Sequence, residues 1–422
     1  MEKYYNINKK LLKMADEAMA DLQSTFKKFD ENELTCSAKV LSTFQKYKVS
    51  TEDFVQVDGY GYSDSGRDKL EQMYADIFGA EDALVRPQIM SGTHAIALTF
   101  TGLLKYGDTM ISLTGEPYDS LKSIIGLFGD SRNSLMKNGV KYEQIELVNN
   151  DFNIEKIQNR LKNGGVKLVE IQRSRGYSQR KSLTIDKIER VIKAIREVNK
   201  DVIIMVDNCY GDFVEDREPT EVGADILVGS MLKNLGGGIA PTGGYVVGRK
   251  DLVNDVAERF SAPCVGKELG ANMNMLKSFY LGLYEAPSAV CSSLKTMAFG
   301  SRMLEKLGYE VDPAFDEKRT DIIQTIKFND ADKLIKFCQG LQKACAVDSG
   351  YMPVPSATPG YPHEEIMASG SFNPGSTIEL SCDAPVVEPY IAFMQGGLTF
   401  EYGKLGILVG LNDFINTTNT IL

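Results

Sequence analysis

Between Ala83 and Val247, short apolar runs alternate with stretches in which apolar residues recur every three or four positions. The runs Ala83 to Val85, Thr109 to Leu113, Val166 to Ile171, Val202 to Val206, Ile226 to Val228 and Gly244 to Val247 read as strands. Between two of them, Ile185, Ile188, Val191, Ile192, Ile195 and Val198 mark one face of a helix, with Thr184 as its N-cap. Strand and helix in alternation predict an α/β fold with a mostly parallel sheet covered on both faces. The strand order is not legible from the pattern.

The flanks read differently. Leu11, Ala15, Ala18, Leu22 and Phe26, then Ala38, Leu41 and Phe44, keep helical spacing across the first fifty residues. A further helix is expected from Ser65 to Phe78, with Asp68 in its first turn and Gly79 ending it. Beyond Gly266 the pattern predicts one helix through Met273, Leu276 and Tyr280 and another from about Pro287 through Leu304. Asp321 to Phe328 then reads as a strand, Asp330 to Ala344 as a helix, Tyr351 to Gly375 as a loop and Thr377 to Leu380 as a strand. The division expected is a helical arm over 1–52, a large domain over 53–300 and a smaller C-terminal α+β domain over 301–422.

Bulk composition removes several function classes. With 43% hydrophobic and 25% charged residues over 422 positions, the chain can bury substantial cores. A net charge of −10 without a basic stripe argues against nucleic acid as a partner. No apolar run has membrane length, so no membrane partner is expected, and the charged start, with Lys9, Lys10 and Lys13, lacks the features of a signal peptide. Seven scattered cysteines fit a reduced, cytoplasmic setting, with Cys338 and Cys345 read as core positions. His94 and His363 are the only histidines, so no metal site is expected.

Three features carry chemistry. Ser91-Gly92-Thr93-His94 follows a strand signal and opens an apolar helix. Free backbone N–H groups there favour a phosphate, although Ser91 is equally read as a plain N-cap. Asp207 ends its strand, where ligands of α/β sheets bind, although Asp in a turn is common. Lys233, in Ser230-Met231-Leu232-Lys233, follows a strand and precedes Gly236-Gly237-Gly238. In such a setting desolvation and nearby positive charge would deprotonate the amine, making it a nucleophile. An amine for an aldehyde, a carboxylate for a pyridine nitrogen and an anion loop together point to pyridoxal phosphate.

On these residues the chain resembles the fold type I pyridoxal-phosphate enzymes, within them the cystathionine and methionine lyases of cysteine and methionine metabolism. More narrowly it is similar to the aluminium-resistance or methionine-γ-lyase-like branch. The resemblance implies that Ser91, Gly92, Thr93 and Ser230 hold the cofactor phosphate, that Asp207 binds the pyridine nitrogen and that Lys233 forms the imine. It places Tyr118, in Gly115-Glu116-Pro117-Tyr118-Asp119, on the cofactor ring as a second acid or base. Tyr60 or Tyr62, with Arg67, resembles the segment by which one subunit reaches its neighbour's phosphate, which implies a dimer or tetramer with shared sites.

The activity so implied is carbon–sulfur cleavage of a sulfur amino acid (cystathionine, methionine or cysteine-like) by β- or γ-elimination. An aminotransferase, or a catalytically silent binding protein on the same fold, is the alternative. One departure from the family pattern concerns the substrate carboxylate, which an arginine of the small domain normally holds. No arginine follows Arg319, leaving Arg86, Arg173, Arg175 or Lys404 as substitutes.

Overall fold

Seven strands form the larger sheet: β1 (Asp82–Arg86), β2 (Thr109–Ser112), β3 (Lys141–Gln144), β4 (Leu168–Gln172), β5 (Ile203–Asp207), β6 (Ile226–Ser230) and β7 (Gly244–Gly248). The protein is described by a computed structural model over residues 3–60, 64–358, 361–418 and 420. Their order is β1-β7-β6-β5-β4-β2-β3, parallel from β3 to β6, with β7 antiparallel to both its neighbours. Strands β4, β5 and β6 are buried along their whole length, which is why they read as continuous apolar runs rather than as alternation. Edge strand β3 is polar and half exposed, and its pattern gave no signal.

Helices cover both faces. The helix Ile185–Val198 is capped by the Thr184 side chain, which accepts the Lys187 N–H, and it buries Ile185, Ile188, Val191, Ile192 and Ile195. At roughly 1.5–3 kcal/mol per buried aliphatic side chain, this stripe fastens the helix far more firmly than its propensity does.

Beyond the larger sheet, the apolar pattern around Met273 to Leu304 is a single helix, Leu276–Lys306, not two. Pro287 lies inside it, where a proline removes one N–H bond without ending a helix otherwise held by burial. Its first half packs into the core beneath the larger sheet through Phe279, Leu283 and Val290, and its second half into the core of the smaller sheet through Met297, Phe299 and Leu304. The N-terminal helices Lys9–Asp21 and Gln23–Lys46 pack along it, Leu11 and Ala18 joining one core and Cys36 and Val40 the other.

The smaller sheet contains β8 (Glu310–Asp312), β9 (Ile323–Lys327), β10 (Ser356–Ala357), β11 (Glu364–Ser369), β12 (Ser381–Pro385) and β13 (Ile391–Gln395), antiparallel in the order β10-β11-β12-β13-β9-β8. Two expectations are corrected here. The stretch read as loop, Tyr351 to Gly375, contains β10 and β11. Thr377 to Leu380 is not a strand, because the Thr377 N–H bonds the Leu232 carbonyl at 3.1 Å and Ile378 accepts from Gly397 N–H at 2.9 Å. That segment therefore ties the smaller sheet to the loop carrying Lys233.

The smaller sheet has two unlike faces. Ile326, Ile366, Ala368, Cys382, Ala384, Ala392 and Met394 form the apolar one, packed on the helices Ala331–Ala344 and Phe400–Thr418. On the opposite face Thr325, Glu365 and Gln395 are buried although polar, and Asp383 beside them is half-buried. This second face turns toward the larger sheet.

Candidate active site

The carboxyl ends of the parallel strands converge on a cavity of about 140 Å³. Thr93, Tyr118, Asp207 and Lys233 line it, as the sequence led one to expect. A wider groove of 680 Å³ between Glu71, Asp82, Glu258 and Lys267 holds none of these groups.

Ser91 caps the helix Gly92–Leu103, its hydroxyl accepting the His94 N–H at 3.0 Å. The plain capping role is therefore real, and the helix end that it fixes is also the one facing the cavity. A Cβ at Gly92 would lie 2.8 Å from Cys209 Sγ, 3.5 Å from Ser230 Cβ and 4.0 Å from Lys233 Nζ. That closeness brings the anion loop, the strand-end turn and the lysine loop together. Ser230 Oγ accepts the Leu232 N–H at 3.1 Å, bending the chain after β6 toward Lys233.

Asp207 ends β5 and is buried, with Oδ1 accepting the Cys209 N–H at 3.0 Å. Glu170 in β4 lies near it, and burial, with repulsion from Asp207, pushes its carboxyl up to about 7. The Tyr118 hydroxyl is 3.5 Å from Thr93 Oγ1, and burial, reinforced by Asp207, raises its pKa well above the ordinary phenol value. Tyr118 is thus held as a neutral proton donor.

Lys233 departs from expectation. Burial works against its charge, but the groups around it, the Asp207 carboxylate among them, outweigh burial and raise its pKa. Among the described residues of the cavity wall there is no second cation to push the other way. In this state the amine is an ammonium, its Nζ 3.8 Å from the centre of the Tyr210 ring.

Several wall residues gave no warning in the sequence. Tyr210 follows Asp207 by three positions and adopts φ 69°, a left-handed backbone unusual for an aromatic residue and of the kind found at functional sites. Tyr177 packs on Phe393 of β13 at 5.1 Å and on Tyr361 at 5.9 Å between ring centres, closing the cavity on the side of the smaller sheet.

Other expected residues lie elsewhere. Tyr60 is 79% exposed, Arg67 is 1% exposed with its guanidinium against Asp68 at 3.0 Å, and neither lines the cavity of its own chain. Tyr62 lies outside the described residues. The substitutes for the carboxylate-binding arginine are also engaged. Arg86 pairs with buried Glu71 at 3.3 Å, Arg173 with Glu215 and Asn208 at 3.2 and 2.8 Å, and Arg175 with Asp312. Lys404 stands over the Phe299 ring at 5.8 Å, in the helix Phe400–Thr418.

The sequence model of the family described as methionine gamma-lyase matches residues 11–415. The chain belongs to that family. Within reach of this methionine γ-lyase family member is the carbon–sulfur lyase involved in aluminium resistance from Clostridium novyi NT, 45% identical, with 97% of each chain covered and a TM-score of 0.93. The uncharacterised protein YnbB of Bacillus subtilis (strain 168) is 43% identical over 407 residues, 96% of each chain. The pyridoxal-5′-phosphate dependent protein YhfS of Escherichia coli, 18% identical with a TM-score of 0.61 over 90% of this chain and 95% of its own, shares the fold alone. The family is one of enzymes, and the α/β architecture read from the sequence is the one observed.

Proposed function

We propose that this chain is a pyridoxal-phosphate-dependent carbon–sulfur lyase that acts on a sulfur amino acid by β- or γ-elimination. The observation that carries this reading is the meeting of Gly92, Asp207 and Lys233 at one cavity. The residues fit the cofactor: a helix N-terminus where any side chain at position 92 would intrude, a buried strand-end carboxylate and a buried amine. When bound, pyridoxal phosphate supplies an electron-accepting ring that stabilises negative charge at the substrate α carbon.

The chain's residues divide the remaining work. Ser91, Gly92, Thr93 and Ser230 would hold the phosphate at the helix end. Asp207, buried and oriented by the Cys209 N–H, would keep the pyridine nitrogen protonated. Lys233 would anchor the cofactor and carry the α proton, and Tyr118, kept protonated by burial, would donate to the departing sulfur. A neighbouring copy, in a dimer or tetramer, would contribute Tyr60 or Tyr62 together with Arg67: Tyr60 is exposed, and Arg67, though paired with Asp68, keeps a buried Nη1 without a hydrogen-bond partner.

The test is a visible spectrum of purified protein before and after borohydride, peptide mapping of the reduced adduct, and product assay. A yellow protein trapped at Lys233, releasing a thiol or hydrogen sulfide with a keto acid from cystathionine, methionine or cysteine, supports the reading. Keto-acid-dependent amino transfer would replace it with an aminotransferase. Yellow protein that exchanges no α proton would leave a binding protein.

A further inference from the structure

Behind the cavity, the turn that follows Asp207 closes around a cluster of polar side chains, none of which lines the cavity. Arg173, Asn208, Asp212, Glu218, Asn234 and Tyr245 are each at most 1% exposed. The Asn208 amide nitrogen donates to Asp212 Oδ1 at 2.7 Å and to Glu218 Oε2 at 2.9 Å, and Asn208 Oδ1 accepts from Arg173 at 2.8 Å. The Tyr245 hydroxyl, on β7, lies against the same Asp212 oxygen. Asn234, next in the chain to Lys233, donates its side-chain N–H to the Asp212 carbonyl at 2.8 Å. Asp212 therefore joins the turn that carries Asp207 and Tyr210 to the loop that carries Lys233.

We infer that Asp212 is a positioning residue held as a neutral carboxylic acid, and that its proton keeps the Asp207 turn and the Lys233 loop locked together. This rests on the lyase reading above, which gives Asp207 and Lys233 their roles. Two carboxylates bridged by one amide nitrogen repel each other strongly in a dry interior, and binding one proton relieves the repulsion. The partners decide where the proton sits. Glu218 takes the Phe213 N–H at 2.8 Å, the Asn208 amide and the Arg173 guanidinium at 3.5 Å. Asp212 touches neutral groups only, and its Oδ2 is buried without a hydrogen bond, which costs less for an acid than for an anion. Burial, then Glu218, raises the Asp212 pKa accordingly. The surrounding charges are taken up elsewhere: Arg173 is divided between Glu218 and Glu215, Lys318 pairs with Glu215, and Lys39 of the helix Gln23–Lys46 pairs with Glu221 at 2.8 Å. Cys36, Tyr74, Cys209 and Tyr245 stay neutral, their pKa values raised by burial. Ionising Asp212 would set two charges against one amide and loosen the turn.

The experiment is hydrogen exchange of the whole chain read by mass spectrometry from about pH 5 to about pH 9, corrected for the intrinsic pH dependence of amide exchange. The closed turn binds the proton more tightly than the open one. Opening of segments 208–214 and 232–237 in the wild type is therefore expected to grow by up to roughly tenfold per unit of pH above the ordinary carboxylate range, levelling off once Asp212 has ionised. Asp212→Asn, which keeps a neutral group in place, and Glu218→Gln, which removes the repelling charge, are each expected to flatten that rise. Asn234→Ala cuts only the bridge. It is expected to raise exchange in 232–237 at every pH and to weaken pyridoxal phosphate binding, read by absorbance titration, roughly two- to tenfold. A wild type without the rise, a rise that persists in both carboxyl variants, or an Asn234→Ala protein unchanged in exchange and affinity overturns the inference. Wild-type protein that binds no pyridoxal phosphate removes the lyase reading, and the exchange profiles still decide this one.

Discussion

The Lys233 ammonium lies 3.8 Å from the centre of the Tyr210 ring, which its left-handed backbone holds beneath the amine. A cation over an aromatic face gains about 0.5–2 kcal/mol, more when shielded from water. Tyr210→Phe is expected to keep cofactor affinity within about twofold, because the ring remains. Tyr210→Ala removes it, and because the contact favours the ammonium over the neutral amine that forms an imine, affinity is expected to rise roughly two- to thirtyfold, as read by titration of apoprotein with pyridoxal phosphate. Equal changes in both variants would assign the effect to the hydroxyl.

Gly92 is expected to tolerate no side chain while its neighbours stay as they are. The Cβ of Gly92→Ala would press on Cys209 Sγ at 2.8 Å, inside the cradle assigned to the phosphate. Cofactor affinity is expected to fall by roughly two- to 150-fold, since neighbours in contact couple by 0.5–3 kcal/mol. The helix itself should not suffer, because Ala is the better helix former. Adding Cys209→Ala removes the obstructing sulfur, and the double variant should recover most of the loss in the same titration.

Glu170 makes a prediction about pH. Its carboxyl rises from an ordinary 4.5 to about 7 in the folded protein. The native state therefore binds this proton more tightly than the unfolded chain does. The stability it contributes is complete below about 4.5 and is lost as pH climbs through about 7. Glu170→Gln is expected to melt higher than wild-type apoprotein at pH 8, by up to about 3 kcal/mol, with the difference vanishing near pH 4.5. A gain that is constant from pH 5 to 8 would assign the effect to packing instead.

Arg173 belongs to the scaffold. Fully buried among Glu215, Glu218 and Asn208, it leaves stranded carboxylates if removed. Arg173→Met is expected to cost about 3–5 kcal/mol in urea unfolding. If the variant instead keeps wild-type stability and raises KM alone, Arg173 binds the substrate carboxylate after all.

Much of this was legible because the relevant signals are local. Val202 to Val206 had to be a buried strand, and the carboxylate at its end had to face the ligand side of the sheet. The same reasoning placed Lys233 after β6 and Gly92 at a helix start. What stayed hidden depends on how distant segments meet. Glu365 sat in a stretch rich in Pro, Gly and Ser, and only the pairing of β11 with β12 sets it beside Asp383. Ile391 to Gln395 lacks alternation because both of its faces are covered. Pro287 misled for the opposite reason: local propensity says break, and burial on both sides of it keeps the helix whole. The surroundings of Lys233 stayed hidden too, because sequence shows the lysine but not the Asp207, Cys209 and Tyr210 that share its cavity wall.

The helix Leu276–Lys306 contributes side chains to the interiors of both sheets. It acts as a shared spine, so neither half of the molecule owns it. Heating should accordingly dismantle the two halves together, and the cleft between them is set by a rod rather than a hinge.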